Sequence, residues 1–264
     1  MINVLIIGKK SFLGSNLQIY LSRFFKTDNF SYEEIFKKKK FFFDKYSHII
    51  NTSIHPNYIK HKYNKNFDLD KKFIEKFDKI KFYYIFLNTR KIYSPKYNIT
   101  EKSTIHPHDN YAKNKFATEK YLKLKLKRKL LSLRISNVIG KRIFKNNRNT
   151  HKLFYDNFID YNKNKNKKII VSNDFKDFLS IDQFCKIIFK VIKLKINGVF
   201  NVSISEKIFV SEIVKWLDRK ALNKIQLTKS SSNSFTLSNY KLLNKIKIKI
   251  TKNQLKKFCK KKLN

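Results

Sequence analysis

A tyrosine and a lysine, Tyr111 and Lys115, have the residue types and the spacing of a proton-transfer pair. Residues four apart share one face of a helix, so the ammonium can lie beside the phenol. A nearby fixed cation lowers the pKa of a tyrosine, which makes the phenol a usable proton donor or acceptor near neutral pH. The same spacing also arises by chance in a lysine-rich chain with 14 tyrosines. The position of the pair in the chain must therefore decide.

That position is a helix that directly follows a predicted strand with a polar end. Residues 80–87 have the aromatic and β-branched content of a strand, and Thr89 comes just after them. A hydroxyl at the carboxyl end of a strand is well placed for chemistry in a parallel sheet, because the ligand-binding crevice lies at that edge. A helix predicted from about residue 108 to residue 128 then carries Tyr111 and Lys115. This order favours a catalytic pair over a coincidence.

The first seventeen residues predict a second part of such a site, a phosphate-binding turn. Residues 2–7 have the pattern of a strand that is buried on both faces, and a helix is predicted to open at Ser15. The turn between them contains Gly8, Ser11 and Gly14, and a glycine in place of Ser11 would be the stronger signal. Free backbone N–H groups and the helix dipole at such a turn favour a pyrophosphate. A turn that binds no ligand is the alternative interpretation.

Two further segments bear on the cofactor. The predicted strand over residues 47–53 ends in small polar residues, which makes Asn51 a candidate for lining a cofactor. No carboxylate closes a hydrophobic strand over residues 26–32, where the acidic ligand of an NAD ribose would stand, so the sequence does not separate NAD from NADP. Asp44 could reach an adenine edge or lie on the surface. Whether residues 33–46 contain another strand stays open.

Composition and charge limit the class of protein. With 264 residues the chain can form one α/β domain with a small appended lobe. Lys and Arg total 60 against 19 Asp and Glu, a formal net charge of +41 at pH 7, which taken alone indicates a nucleic acid or a membrane. Because Asn, Ile, Phe and Tyr are also abundant while Gly numbers only 4 and Pro only 3, we attribute most lysines to compositional drift on the surface. We therefore expect non-specific, salt-dependent attraction of polyanions but no specific nucleic acid.

Cysteine spacing and the chain's start indicate where the protein resides. Cys185 and Cys259 lie far apart and in no metal-ligand spacing, so we expect neither a disulfide framework nor a metal site. The chain opens with a predicted core strand, and no apolar run is long enough to span a bilayer. These features predict a cytoplasmic protein without a membrane partner.

The second half predicts alternating strands and helices without repeats. A strand is predicted over residues 130–140, followed by a basic, Asn-rich loop and a helix to about residue 168. Further strands are predicted near residues 168–171 and 198–203, with helices around residues 185–192 and 210–217 and a basic helix at the end. No long linker interrupts residues 1–264, which favours a single domain.

The order of these motifs resembles that of the extended short-chain dehydrogenase/reductases of the NAD-dependent epimerase/dehydratase family, which act on nucleotide-linked sugars. The resemblance covers most of the chain. Its segments are the turn Gly8-Lys9-Lys10-Ser11-Phe12-Leu13-Gly14, the strand end Asn51-Thr52-Ser53, the edge Thr89-Arg90-Lys91-Ile92-Tyr93, the Y-x-x-x-K pair Tyr111 and Lys115, the L-R-x-x-N-x-x-G match over residues 133–140, and residues 176–182, which are similar to R-D-F-I-H-V-D.

The resemblance implies an α/β fold with a Rossmann-type parallel sheet, helices on both faces and a small C-terminal substrate-binding lobe. Residues 1–140 would be mainly the NAD(P)-binding part, and residues 141–264 mainly the substrate lobe with interleaved returning strands. The family's homodimers further imply a dimer through two long helices, near residues 66–79 and 108–128.

The resemblance also implies roles for individual residues. Tyr111 would exchange a proton with a sugar hydroxyl or carbonyl, Lys115 would hold ribose hydroxyls, and Thr89 would hydrogen-bond the reacting oxygen. The implied contacts to NAD or NADP are Gly8, Ser11, Phe12, Leu13, Gly14, Asn51, Thr52, Tyr111 and Lys115, and those to the substrate are Tyr93, Asn137 and Lys176. Lys176 stands where the family usually has arginine, which replaces a bidentate contact by a point charge.

Three functions follow as hypotheses. The first is an NAD(P)-dependent enzyme on a nucleotide sugar, with 4-keto reduction and C4 epimerisation as its leading forms; whether it is a reductase, an epimerase or a dehydratase is not encoded in any single residue. The second is a non-catalytic, cofactor-binding regulator on the same fold, motivated by the imperfect glycine turn. The third is a nucleic-acid-binding protein, motivated by charge alone.

Overall fold

The computed structural model of the chain describes residues 2–77, 81–144, 158, 169–218, 225–229 and 233–262. Their strands are β1 (Asn3–Ile7), β2 (Lys26–Phe30), β3 (His48–Asn51), β4 (Tyr83–Thr89), β5 (Leu130–Ile135), β6 (Asn137–Ile139), β7 (Ile169–Ser172), β8 (Phe175–Lys176), β9 (Phe178–Ser180), β10 (Gly198–Val202), β11 (Ile208–Phe209) and β12 (Ile225–Thr228). Their α-helices are α1 (Phe12–Leu21), α2 (Tyr32–Phe36), α3 (Pro56–Lys60), α4 (Leu69–Lys76), α5 (Asn110–Leu126), α6 (Ile181–Lys193), α7 (Val210–Leu217), α8 (Tyr240–Ile246) and α9 (Lys252–Lys262).

Six strands form one parallel sheet in the order β10-β5-β4-β3-β1-β2. Alternate residues of its strands face two separate hydrophobic cores, as buried parallel strands require. Val4 and Ile6 belong to the core that contains α1 and α6, whereas Leu5 and Ile7 belong to the core that contains α4 and α5. The predicted Rossmann-type sheet with helices on both faces is confirmed.

The first helix begins earlier than the sequence predicts. It starts at Phe12 rather than at Ser15, because Ser11 is its N-cap and accepts a hydrogen bond from the Gly14 N–H at 2.8 Å. The serine that stands in place of a glycine thus has a local structural role.

The region after α1 answers the question about a further strand. β2 is one of the two edge strands of the main sheet, and it ends in Phe30 rather than in a carboxylate. Residues 31–47 contain α2 and a 3-10 helix, Lys40–Phe43, but no strand. Asp44 is exposed, which agrees with the alternative that this carboxylate lies on the surface.

Smaller strand pairs flank the main sheet. β6 pairs with β9, β8 with β11, and β7 with β12. β10 returns to the main sheet beside β5, so part of the chain after residue 140 is interleaved with the first part. The helix predicted to end near residue 168 lies outside the described residues. Within the described ranges no helix combines the length and the apolar character needed to cross a membrane.

One buried histidine gives the folded state a dependence on pH. His48 of β3 is 2% exposed, and its ring stacks on Tyr83 with the centroids 5.3 Å apart. Burial lowers the pKa of His48 to about 4, whereas an unfolded histidine titrates near 6.5. Between these values the unfolded chain binds the proton and the folded chain does not, so the stability that is complete above pH 6.5 is lost as the pH falls toward 4.

Because a difference of one in pKa corresponds to about 1.4 kcal/mol, we expect the titration of His48 to lower the free energy of unfolding by about 3 kcal/mol between pH 6.5 and pH 4. Urea unfolding at several pH values checks it. His48→Gln should flatten the pH dependence over this range, whereas His61→Gln at an exposed position should leave it unchanged. Equal slopes for the wild type and His48→Gln would show that His48 does not cause the effect.

Candidate active site

The turn between β1 and α1 is closely packed. Gly8 has a φ of +124°, and a Cβ at this position would lie 2.2 Å from Thr52 Oγ1. A Cβ at Gly14 would lie 2.4 Å from the Gly8 carbonyl oxygen. Only glycine fits at both positions, and this brings the N-terminus of α1 close to the ends of β1 and β3.

Two hydroxyls close this turn. Ser11 Oγ and Thr52 Oγ1 are 2.7 Å apart, and Thr52 Oγ1 also donates to the Ile7 carbonyl oxygen at 2.8 Å. The turn therefore combines a tight glycine bend, a helix N-terminus and two hydroxyls at the carboxyl edge of the sheet. Such a group suits the pyrophosphate of a dinucleotide. Phe12 and Leu13 supply the first helical residues behind it.

Asn51 bonds within the protein rather than facing outward. It is 4% exposed; its amide donates to Asp70 Oδ1 at 3.0 Å, and its carbonyl oxygen accepts from the Ser53 N–H at 2.9 Å. Asp70 lies on α4 and also accepts from the Tyr84 hydroxyl at 2.7 Å. Asn51 is therefore placed to support the strand end through Asp70.

Lys115 is directed to the same carboxylate. Its ammonium is 3.9 Å from Asp70 Oδ2 and 4.5 Å from the centroid of the Phe86 ring, and the residue is 6% exposed. Burial lowers the pKa of Lys115, although the carboxylate of Asp70 opposes this shift. Burial also raises the pKa of Asp70, against the attraction of Lys115. The two groups form a buried ion pair between α4 and α5.

Tyr111 differs from the sequence-based expectation. Its pKa is raised, first by burial and then by the negative charges of Asp109 and Asp70, and not lowered by a neighbouring ammonium. The reason is that Lys115, although one helical turn away, has its ammonium beside Asp70. Tyr111 is therefore a protonated phenol at neutral pH.

Thr89 is the last residue of β4 and is linked to the start of α5. Its hydroxyl accepts from the Lys91 N–H at 3.3 Å. The Lys91 ammonium is 2.8 Å from Asp109 Oδ2, and Asp109 caps α5 through the Ala112 N–H at 2.7 Å. The same ammonium is 6.0 Å from the centroid of the Tyr111 ring. This series of contacts places the end of β4 and the first turn of α5 at one edge of the sheet.

Tyr93, which the resemblance implies as a substrate contact, lies in the interior. It is 1% exposed, its hydroxyl accepts from Arg134 and donates to Asn201 Oδ1 at 3.3 Å, and its ring packs in a small core with Ile92 and Phe235. A side chain with its hydroxyl bonded in this way does not face a substrate. Tyr93 supports the packing behind the strand edge instead.

Asn137 and Lys176 come from elements that meet near the end of β5. The Asn137 amide donates to the Asp177 carbonyl oxygen at 3.1 Å, and β6 pairs with β9 just beyond it. Asp177 accepts N–H groups from Ile204, Ser205 and Leu237, which anchors this part of the lobe to the chain after β10. Lys176 is partly buried, and its pKa is lowered by burial and by the positive charge of Arg90.

Sequence reasoning missed two residues of this region, Asp70 and Arg90. Asp70 has a signal in the sequence, since it stands on the helical stripe that continues through Phe73, Ile74 and Phe77, where an apolar residue would be expected. Arg90 directly follows Thr89 at the strand end. Among the described residues no group of three His, Cys, Asp or Glu side chains is arranged to hold a metal ion.

Fold and site together define the class as an α/β protein of the Rossmann type, with a dinucleotide-type turn and a threonine, tyrosine and lysine near the carboxyl edge of its sheet. The model of the NAD dependent epimerase/dehydratase family matches residues 37–203, which is more than half of the chain. The chain belongs to this family, and the NAD-type cofactor expected from its motifs agrees with the family's NAD dependence.

Three solved structures with a similar fold carry names of nucleotide-sugar enzymes. A UDP-N-acetylglucosamine 4-epimerase from Methanobrevibacter ruminantium M1, in complex with UDP-N-acetylmuramic acid, has a TM-score of 0.80 and 17% identity, covering 99% of this chain and 96% of that one. A dTDP-glucose 4,6-dehydratase from Bacillus anthracis, in complex with NAD, has a TM-score of 0.77 and 16% identity, covering 100% and 96%. A dTDP-4-dehydrorhamnose reductase from Yersinia enterocolitica has a TM-score of 0.76 and 15% identity, covering 100% and 99%. A comparison with curated protein sequences finds no match.

Proposed function

We propose that this protein is an NAD(P)-dependent oxidoreductase that reduces a keto group on a nucleotide-linked sugar. The observation that carries the proposal is the placement of Thr89 and Tyr111 at one edge of the sheet, where the Lys91 ammonium lies 2.8 Å from Asp109 Oδ2 at the N-cap of α5 and 6.0 Å from the centroid of the Tyr111 ring. A phenol that keeps its proton at neutral pH can donate it to the oxygen of a carbonyl as that carbonyl is reduced. Reduction needs this donor in every cycle.

The remaining roles follow the placement of the side chains. Thr89 at the end of β4 would hydrogen-bond the same carbonyl oxygen, and Lys115 would hold ribose hydroxyls of the cofactor while Asp70 fixes its position. Asn137 and Lys176 would approach the diphosphate of the substrate. The dinucleotide would be held at the turn by Gly8, Ser11, Gly14 and Thr52 and by the backbone of Phe12 and Leu13.

The cofactor would supply a hydride, and the turn suits its pyrophosphate because the two glycines allow the ends of β1 and β3 to pack against the N-terminus of α1, which favours an anion. β2 ends without a carboxylate that could select NAD, so either NADH or NADPH is compatible with the residues at this edge. A homodimer through α4 and α5 and the absence of a specific nucleic-acid partner remain parts of the proposal.

Epimerisation is the second form of the same proposal, since it uses the same three side chains. In that reaction Tyr111 must remove a proton from a sugar hydroxyl before returning one, whereas reduction needs only the donation. The two forms also differ in whether the reduced cofactor is consumed.

The test is an incubation of the purified protein with NADH or NADPH and a 4-keto nucleotide sugar. We expect the near-ultraviolet absorbance of the reduced cofactor to fall in proportion to the sugar supplied. Epimerisation would change the sugar without a net loss of absorbance. Binding of the cofactor without any turnover would favour the regulator, and a protein that binds neither cofactor nor nucleotide sugar would refute the proposal.

A further inference from the structure

Two partly buried cations near the site, Arg90 and Lys176, form no ion pair with a carboxylate among the described residues. Arg90 opens the 3-10 helix Arg90–Ile92 after β4, and Lys176 ends β8. Neither side chain forms an ion pair or a hydrogen bond within the described part of the chain. The neighbouring Lys91 differs, because it is exposed and its ammonium is 2.8 Å from Asp109.

Phe235 contacts both segments that carry the two cations. The Arg90 guanidinium carbon lies 3.8 Å from the centroid of its ring, so the ring supports the guanidinium from one side. The Phe235 N–H donates to the Phe175 carbonyl oxygen at 3.1 Å, and Phe175 directly precedes Lys176. The end of β4 and the strand β8 therefore meet around one buried aromatic residue.

The electrostatics agree with this proximity. Burial lowers the pKa of Arg90 to about 10. Burial, followed by the positive charge of Arg90, lowers the pKa of Lys176, although Asp174 attracts it. Two like charges held near each other in a partly desolvated place are unfavourable until an anion binds between them.

We infer that Arg90 and Lys176 form an oxyanion-binding pair for the substrate. The inference rests on the proposed function, since a nucleotide sugar carries a diphosphate and an acidic sugar adds a carboxylate. The planar fork of Arg90 can bind two oxygens of one such group, and Lys176 adds a point charge from the other side. Arg90 thus supplies, from β4, the bidentate contact that a lysine at position 176 does not provide.

The test is calorimetric titration, without cofactor, of UDP, dTDP, UDP-glucose and UDP-glucuronate into the wild type and into Arg90→Gln, Arg90→Lys and Lys176→Gln. Removing a charge-assisted contact should weaken binding about 10- to 100-fold in Arg90→Gln and Lys176→Gln. Arg90→Lys should lose less, because it keeps the charge and the contact with Phe235 but not the fork. Arg128→Gln is the matched control, since Arg128 is exposed just before β5, at the opposite edge of the sheet.

The ligands separate the two sources of the oxyanion. If the variants bind UDP and dTDP, which carry no sugar, more weakly than the wild type does, the oxyanion is the diphosphate. If they bind only UDP-glucuronate more weakly, the oxyanion is the sugar carboxylate. Unchanged binding in all three variants would overturn the inference, as would a wild type that binds none of the four ligands. Should Arg90→Gln fail to fold in circular dichroism, Arg90→Lys and Lys176→Gln decide in the same way.

Failure of the inference and failure of the proposed function give different results. Nucleotide binding that depends on Arg90, in a protein that never consumes NADH or NADPH, leaves the oxyanion pair but removes the oxidoreductase. If the protein shows cofactor-dependent turnover but Arg90→Gln binds nucleotides as the wild type does, the oxidoreductase proposal stands and the oxyanion pair is refuted.

Discussion

Replacing Tyr111 by phenylalanine is expected to lower turnover by about 10²- to 10⁴-fold, the usual contribution of a positioned proton donor. The substitution removes one oxygen and keeps the ring, so the packing of α5 should not change. The measurement is kcat for the oxidation of NADH or NADPH by a 4-keto nucleotide sugar. If the phenol gives its proton to the carbonyl oxygen, as we propose, the loss should appear in kcat and not in the affinity for the reduced cofactor.

The matched control is Tyr240→Phe, since Tyr240 is 72% exposed on α8. It should leave kcat unchanged. Cofactor fluorescence should give the same dissociation constant for Tyr111→Phe as for the wild type. A Tyr111→Phe protein with full turnover would show that the proton comes from another group.

The second large effect is expected on stability, from Glu119→Gln. Glu119 lies on α5, is fully buried, and accepts from Arg134 Nη2 at 2.6 Å and from the Ser132 hydroxyl at 2.5 Å. Burial by itself raises the pKa of Glu119, but the hydrogen bonds and charge of Arg134 together with the Ser132 hydroxyl outweigh it, so the pKa is below its ordinary value. The glutamine keeps the shape but leaves a buried guanidinium without a counter-ion, which costs about 3–5 kcal/mol.

Urea or thermal unfolding measures this loss. Glu75→Gln is the control, because Glu75 makes a surface pair with Lys71 at 3.8 Å on α4, and such pairs contribute about 0.5 kcal/mol or less. Replacing both partners, as in Glu119→Leu with Arg134→Met, should recover much of the loss. Equal unfolding midpoints for Glu119→Gln and Glu75→Gln would contradict the role of the buried pair.

This buried pair also affects the site, because Glu119 stands one helical turn beyond Lys115 on the same helix. Arg134 also donates a hydrogen bond to the Tyr93 hydroxyl. Glu119 therefore fixes how α5 lies against β5, and with it where Tyr111 and Lys115 stand. We therefore expect Glu119→Gln to reduce turnover by more than the fall in the folded fraction alone.

The fold could be predicted because its signals are local. The run Val4-Leu5-Ile6-Ile7 is apolar on both faces, and the tight turn after it needs glycine at two positions. Thr89 follows a predicted strand, and Tyr111 and Lys115 lie on the helix that comes next, so their placement can be inferred from the order of strands and helices. These features are set by residues close in sequence, so they can be recognised there.

The direction of individual side chains could not be predicted, because it depends on residues distant in sequence. The spacing of Tyr111 and Lys115 gives a shared helix face, but Asp70 of α4 determines where the ammonium lies. Tyr93 matches a motif position, yet Arg134 and Asn201 draw its hydroxyl into the interior. A helical start at Ser15 is likewise the wrong expectation, since the hydroxyl of Ser11 caps a helix that begins at Phe12, three residues earlier.

The excess of cations over the whole chain has a kinetic consequence. Both the cofactor and a nucleotide sugar are anions, and a surface with a formal net charge of +41 attracts them from a distance. Association should therefore be fast in dilute buffer and slower at physiological ionic strength, where the Debye length is about 8 Å. Other polyanions would compete for the same surface, so the rate of encounter with an anionic ligand depends on how well Arg90 and Lys176 are shielded from them.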